Sequence, residues 1–74
     1  MIHIRGKLRN QRIALGYKQK DVAEAAGIHK GYYSKIEAGE RNPATDVWLK
    51  IGAFLKIPDD QLVTYMKEGL KKGA

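Results

Sequence analysis

Two short stretches with the apolar spacing of helices lie on either side of a glycine within residues 19–37, and this arrangement restricts how the chain can fold. Val22, Ala23 and Ala26 are spaced as on one face of a helix. Gly27 follows them, and glycine enters the left-handed backbone region without steric cost, so one helix can end there and another begin. Ala23 is small enough to let the two helices cross closely, at about 90 to 120°. We therefore predict two helices joined by a tight turn.

The second helix of this pair should have one buried face and one polar, basic face. It is expected to begin near His29 and to end near Ala38. Tyr33 and Ile36, three residues apart, turn one face inward. The opposite face carries Lys30, Gly31, Tyr32, Ser34 and Lys35.

The small size of the chain and its lack of cysteine restrict how it can be stabilised. Its 74 residues suffice for one domain, so we predict a single domain over residues 1–74. Without cysteine, neither a disulfide framework nor a thiolate metal site can form. The two histidines and eight carboxylates do not recur at metal-ligand spacing, and we expect no metal and no cofactor.

Hydropathy also restricts the location of the protein. No apolar run approaches the roughly 20 residues that cross a bilayer. Residues 1–7 lack the apolar region of a signal peptide. We therefore expect a cytoplasmic protein without membrane contact.

Basic residues are concentrated in the first part of the chain. The net charge is +6; residues 1–41 hold nine basic and four acidic residues, whereas residues 42–74 hold five and four. Lysine and arginine on one face bind a phosphate backbone by releasing condensed counterions. A small soluble domain can also be basic without binding nucleic acid. The charge therefore favours a nucleic-acid partner only in combination with the predicted helix pair.

A further helix should precede the pair. Leu8 and Leu15, seven residues apart, place one face of a helix over about residues 3–15 against the core. Gly16 is placed to end it. Arg12 lies near the apolar side of this helix despite its charge.

Two helices should follow the pair. Pro43, a residue favoured in the first turn, is predicted to start a helix over about residues 44–55. The last helix is predicted from Pro58 to about Leu70. Their inner faces are formed by Trp48, Ile51, Gly52 and Leu55 and by Leu62, Tyr65, Met66 and Leu70.

Four residues in these two helices suggest contacts beyond the simple apolar stripe. Gly52, inside a helix, predicts close approach of another helix. Val47, Phe54 and Val63 fit no inner face and are candidates for a homodimer contact, although single exposed apolar residues are ordinary.

A set of residues in and around the helix pair forms a recognisable pattern. It consists of Gln19, Ala23, Gly27 and the segment 34–37, with Leu8, Arg12 and Leu15 before them and Gly39, Arg41, Asn42 and Pro43 after them. This pattern resembles the Cro/repressor-type (XRE-type) helix-turn-helix family of DNA-binding domains over about residues 4–57. The resemblance implies an all-α, five-helix bundle of the lambda-repressor-like type, with the helix-turn-helix at helices 2 and 3, and a sequence-specific protein that binds a double-stranded DNA operator.

The resemblance and the helix geometry together suggest roles for single residues. By resemblance, Arg12 pairs with Glu37, and Arg41 and Asn42 bind the DNA backbone. Gln19, at the start of the second helix, lies where a phosphate can be accepted. Its alternative role is to cap that helix.

The basic face of the second helix is the predicted reading surface. One of the two lysines, Lys30 and Lys35, is expected to contact a base and the other a phosphate or a base further along, and the sequence does not assign which is which. Tyr32 can pack on a thymine methyl group or donate its hydroxyl to a phosphate, and Ser34 can donate to a phosphate. His29 and Gly31 depart from the family pattern. His29 is a weaker N-cap that either loosens the helix start, places its imidazole against a phosphate or is a plain surface histidine, the last being favoured. Gly31 has no side chain to reach a base, so it either lets the backbone approach the groove wall or leaves the base contact to Tyr32.

These features predict a repressor-type transcriptional regulator that acts as a homodimer and has no evident small-molecule substrate. Two alternatives use the same fold: an antitoxin or restriction-modification controller that binds both its own operator and a protein partner, and a protein-interaction adaptor. An enzyme is not expected, because no nucleophile, base and orienting group recur at a workable spacing.

Overall fold

The computed structural model describes residues 5–67, which form five α-helices and the loops that join them. None of these residues forms a strand, so the predicted all-α, five-helix fold is confirmed. The helices are α1 (Gly6–Ala14), α2 (Gln19–Ala26), α3 (Lys30–Glu37), α4 (Thr45–Phe54) and α5 (Asp59–Lys67).

The turn between α2 and α3 is built on Gly27, as predicted. Its φ of 72° lies in the left-handed region. The N–H of Ile28 donates to the carbonyl oxygen of Ala23 at 2.9 Å, which closes the last turn of α2. Ala23 itself is buried where the helices cross. This geometry fixes the direction in which α3 leaves α2.

The core is formed by the inner faces of all five helices. Trp48 of α4 and Tyr33 of α3 are among its largest fully buried side chains. Burying a large apolar side chain stabilises the folded state by about 1.5 to 3 kcal/mol, so these residues dominate the stability of a small domain. The other core residues are Leu8, Val22, Ala23, Ala26, Ile36, Ile51, Leu55, Ile57 and Leu62.

Gly52 lies where α4 meets α5, and the predicted close approach is confirmed. A Cβ atom built at Gly52 would come within 3.1 Å of a Leu62 methyl carbon. Such a contact is tighter than ordinary packing, so glycine lets the two helices approach.

The predicted start of the first helix and the predicted first-turn position of Pro43 are wrong. The first helix begins at Gly6 rather than near residue 3, because Arg5 has non-helical backbone angles and its N–H donates to the carbonyl oxygen of Glu37 at 2.9 Å. The fourth helix begins at Thr45, since Ala44 is extended, so Pro43 precedes the helix and is buried. The predicted end of the last helix, near Leu70, lies outside the described residues.

Two of the three apolar residues assigned to no inner face do pack against the core. Val47 and Phe54 are partly buried at its edge. The ring of Phe54 lies 4.4 Å from the ring of Tyr17, centroid to centroid, because the loop after α1 crosses the end of α4. Val63, in contrast, is 50% exposed, and Ile13 and Leu49 are similarly exposed.

Residues 5–67 contain no helix with the length and apolar character needed to cross a membrane. In the same range, no group of three or more His, Cys, Asp or Glu side chains is placed to hold a metal ion.

Candidate nucleic-acid interface

Helix α3 presents a basic face to solvent and an apolar face to the core. Lys30, Gly31 and Lys35 are exposed, whereas Tyr33 and Ile36 are buried. The two faces follow from the helical repeat, since residues three apart point in similar directions. The exposed lysines therefore project away from the protein on a helix whose other side is packed.

Tyr32 and Ser34 lie at the edges of this face. Both are partly buried, and the ring of Tyr32 packs against the core. Tyr32 is therefore less accessible than the two lysines, although it is not covered. Its position at the edge limits any contact it makes to the part of the ring that faces solvent.

The start of α3 is open, as the weak capping residue predicts. His29 occupies the N-cap position with extended backbone, is exposed, and makes no side-chain capping hydrogen bond. At Gly31, two residues later, an added Cβ atom would meet nothing within 4 Å. The first turn of α3 therefore has free space around it.

Gln19 is the first residue of α2 and does not cap it. The N-cap is Lys18, whose backbone N–H donates to Asp21 Oδ2 at 2.8 Å. The side chain of Gln19 instead turns toward the end of α3, where Nε2 donates to Glu37 Oε1 at 3.1 Å. Gln19 thus links the start of α2 to the end of α3.

Arg12 and Glu37 form the ion pair that the resemblance implies. Arg12 Nε donates to Glu37 Oε2 at 2.7 Å, and Nη2 donates to Oε1 at 3.1 Å. The pair is well shielded, with side-chain exposures of 12% for Arg12 and 4% for Glu37. A bidentate pair of this kind has a defined geometry, so it fixes α1 against the end of α3.

The environment of Glu37 favours its charged form. Burial alone would raise the pKa of Glu37, but the hydrogen bonds from Arg12 and Gln19 and the nearby Tyr33 hydroxyl outweigh it, and the pKa is lowered overall. The hydrogen bond to Glu37 likewise raises the pKa of Arg12. Burial, followed by the charge of Glu37, raises the pKa of Tyr33. All three side chains therefore keep their ordinary protonation states near neutral pH.

The loop after α3 brings the two other predicted DNA-backbone residues to the surface. Arg41 and Asn42 are both exposed. Asn42 also has an internal role, because its Oδ1 accepts a hydrogen bond from Trp48 Nε1 at 3.1 Å. The loop is thus fixed to α4 through a side chain that still reaches solvent.

Arg5, which the sequence analysis did not single out, is fully buried and holds this loop in place. Its Nη1 donates to the carbonyl oxygens of Ile36 at 2.6 Å and Arg41 at 2.8 Å, and its Nη2 donates to that of Met66 at 3.0 Å. The guanidinium carbon lies 4.9 Å from the centre of the Trp48 ring, a cation–π distance. Arg5 therefore connects the start of α1, the end of α3, the loop and α5.

The spacing of the sequence contains a signal for this role. Arg5, Leu8, Arg12 and Leu15 follow one another at intervals of three and four residues, which places both arginines on the inner face of the helix predicted over residues 3–15. In the structure Arg5 immediately precedes α1. Arg9 lies outside this series and is exposed. An arginine in register with the apolar stripe is therefore a candidate for burial.

Helix α3 and the loop that follows it both expose N–H donors and positive charge, and together they form the candidate surface. Hydrogen bonds from Arg5 and Arg12 connect this part of the chain to the start of the fold. Groups of this type bind phosphate oxygens and the acceptor edges of bases. The exposed residues of this surface are His29, Lys30, Gly31, Lys35, Arg41 and Asn42, with Tyr32, Ser34 and Gln19 partly buried at its border.

Comparison with known proteins identifies the family to which the chain belongs. A family model described as Helix-turn-helix matches residues 8–62. The chain is 44% identical over 48 residues to YqaF of Bacillus subtilis, an uncharacterized HTH-type transcriptional regulator. This match covers 65% of this chain and 63% of YqaF. The chain is also 37% identical over 59 residues to RstR of Vibrio cholerae, a cryptic phage CTXphi transcriptional repressor. This match covers 80% of this chain and 53% of RstR.

The fold is also found in a solved structure. The restriction-modification controller protein C.AhdI from Aeromonas hydrophila superimposes with a TM-score of 0.72 and 31% identity, over 78% of this chain and 88% of C.AhdI. The matches to the two curated relatives each span less than two thirds of the relative's length.

Proposed function

Because this chain belongs to the XRE-type helix-turn-helix family, we propose that it binds operator sites in double-stranded DNA and regulates transcription as a repressor. The observation that carries the proposal is the exposed basic face of α3, which the packing of Tyr33 and Ile36 holds outward. An α-helix fits the major groove of B-form DNA, where each base pair presents a distinct pattern of donors and acceptors.

In the proposed complex, α3 lies in the major groove with its N-terminal end deepest. Lys30, the first residue of α3, then reaches the O6 and N7 acceptors of a guanine. Lys35 contacts a phosphate or a base further along the groove. Arg41 and Asn42 bind the sugar–phosphate backbone and set the register of the helix without reading sequence.

Substituting Lys30 with alanine should narrow the difference in binding free energy between an operator and random DNA by about 1 to 3 kcal/mol. Operators are first selected from a random pool of duplexes with the full chain. Affinities for the selected and the random duplex are then measured by fluorescence anisotropy at one salt concentration.

Lys50→Ala is the matched control, since Lys50 is an exposed lysine of α4. It removes the same charge and should leave the specificity difference unchanged. Equal loss of affinity on both duplexes in Lys30→Ala would make Lys30 a phosphate contact. Failure of the unmodified chain to select any duplex would contradict the proposed function itself.

We further propose that the protein binds its operator as a homodimer, with α4 and α5 at the contact. Val63 on α5 and Leu49 on α4 are exposed apolar side chains, and the partly buried Val47 and Phe54 lie on α4. A two-fold dimer places two recognition helices in successive major grooves about 34 Å apart and so predicts a two-fold symmetric operator.

Sedimentation equilibrium tests the dimer. The mass of the unmodified chain should rise with concentration toward twice the monomer mass, whereas Val63→Asp should lower the fraction of dimer. Ile13→Asp, which changes an exposed apolar residue of α1, is the control. A monomeric mass at every concentration, with and without DNA, would exclude the dimer.

We propose that residues 1–74 act as a single domain in the cytoplasm, without a cofactor and without catalysing a reaction. The antitoxin, controller and adaptor alternatives are not favoured, because the curated relatives described above are named transcriptional regulator and transcriptional repressor.

A further inference from the structure

We propose that Arg9 of α1 binds a DNA phosphate in a cleft that α1 forms with α2 and α3, and so adds a backbone contact outside the helix-turn-helix motif. This inference rests on the proposed function. It assigns a role to a residue that neither the motif nor the predicted reading face contains.

The cleft combines three elements of the fold at the border of the basic surface. It has a volume of about 180 Å³ and is lined by Arg9 of α1, Gln19 of α2, and Ser34, Glu37 and Ala38 at the end of α3. Arg9 is exposed, and Gln19 and Ser34 are partly buried. A group that enters the cleft therefore meets the start of one motif helix and the end of the other.

The charge in the cleft favours an anion. Glu37 carries the negative charge there, but Arg12 neutralises it at 2.7 Å, and Glu37 is almost fully buried. Arg9 forms no ion pair or side-chain hydrogen bond with the other described residues, 5–67. The uncompensated charge in the cleft is therefore the guanidinium of Arg9.

The neighbouring side chains supply further donors. The amide nitrogen of Gln19 has two N–H groups, one of which donates to Glu37. Its second N–H and the Ser34 hydroxyl can donate to a phosphate oxygen. The planar guanidinium of Arg9 matches two oxygens of the same phosphate. This donor set fits a tetrahedral anion better than the flat edge of a base.

A contact of this type positions the protein and does not read sequence. Arg9→Ala should therefore weaken binding equally on selected and random duplexes, by about fivefold to tenfold near 0.1 M salt. The slope of log affinity against log salt concentration should fall by about 0.9. Arg9→Lys should keep the slope and lose part of the affinity, because lysine keeps the charge but not the two-oxygen geometry.

The test is a salt titration of binding by fluorescence anisotropy, using the full chain on a selected and a random duplex. Lys50→Ala is the control for loss of one exposed charge elsewhere. The stabilities of Arg9→Ala and the unmodified chain should agree, because Arg9 is exposed, and this is checked by urea denaturation.

The inference and the proposed function fail in different ways. If Lys30→Ala loses specificity but Arg9→Ala has the same slope and affinity as Lys50→Ala, the Arg9 contact is excluded and the proposed function stands. A loss in Arg9→Ala confined to the selected duplex would also overturn the inference, because it would make Arg9 a base contact. If the unmodified chain binds no duplex, both fail.

Discussion

Replacing Arg5 by methionine should lower the free energy of unfolding by about 3 to 5 kcal/mol. Methionine is also unbranched and can keep apolar contact with Trp48, but it removes the donors to the carbonyl oxygens of Ile36, Arg41 and Met66. A hydrogen bond from a charged donor contributes about 1.5 to 3 kcal/mol, and bonds from one side chain add incompletely. Urea denaturation at neutral pH measures the loss.

Two variants separate the loss of these bonds from the loss of charge. Arg9→Met removes an exposed arginine from the adjacent helix α1 and should change stability by less than about 0.5 kcal/mol. Arg5→Lys keeps the charge without the forked geometry and should fall between the two. A loss below about 1 kcal/mol in Arg5→Met would show that water or other donors replace the guanidinium.

Arg12→Ala should destabilise the protein by about 3 kcal/mol, because it leaves the buried carboxylate of Glu37 without its cation. For a domain of this size, the loss corresponds to about 12 to 24 °C in Tm. Thermal denaturation followed by circular dichroism measures it. Tyr17 also loses a hydrogen bond, since Arg12 Nη1 donates to its carbonyl oxygen at 2.9 Å.

The pH dependence identifies the carboxylate as the cause. The pKa of Glu37 is lowered in the folded protein, so its contribution to stability is present above the unfolded pKa of about 4.3 and is lost as the pH falls through the lower folded pKa. In Arg12→Ala, protonation of Glu37 removes the unpaired charge. The difference between the variant and the unmodified chain should therefore shrink in acid, and a constant difference would point to lost packing instead.

The helix-turn-helix could be predicted from the sequence because its determinants are local. Gly27 is the position where α2 must end, and Ala23, one turn earlier, is small enough for the crossing. The Arg12–Glu37 pair followed from resemblance, since neither residue alone indicates its partner 25 positions away. Gly52 in α4 predicts close packing against another helix, and that helix is α5, whose Leu62 side chain lies against Gly52.

The parts that could not be predicted depend on contacts between distant segments. Arg5 is buried because its acceptors, 31 to 61 residues away in the sequence, converge on one point. Charged side chains usually lie at the protein surface, so the sequence favours an exposed Arg5. Only its spacing of three residues from the apolar Leu8 indicates that Arg5 is buried. The packing of Phe54 against the core could not be predicted, because Tyr17, whose ring it contacts, lies in a loop without a helical pattern.

The open space at Gly31 has a consequence for how this protein diverges. A Cβ atom added at that position would meet nothing within 4 Å, and replacing the glycine by alanine favours the helix by about 0.5 to 1 kcal/mol. Under the proposed function, single substitutions there can change which operators are recognised while the scaffold stays intact. Position 31 is thus the natural starting point for selecting regulators with new targets.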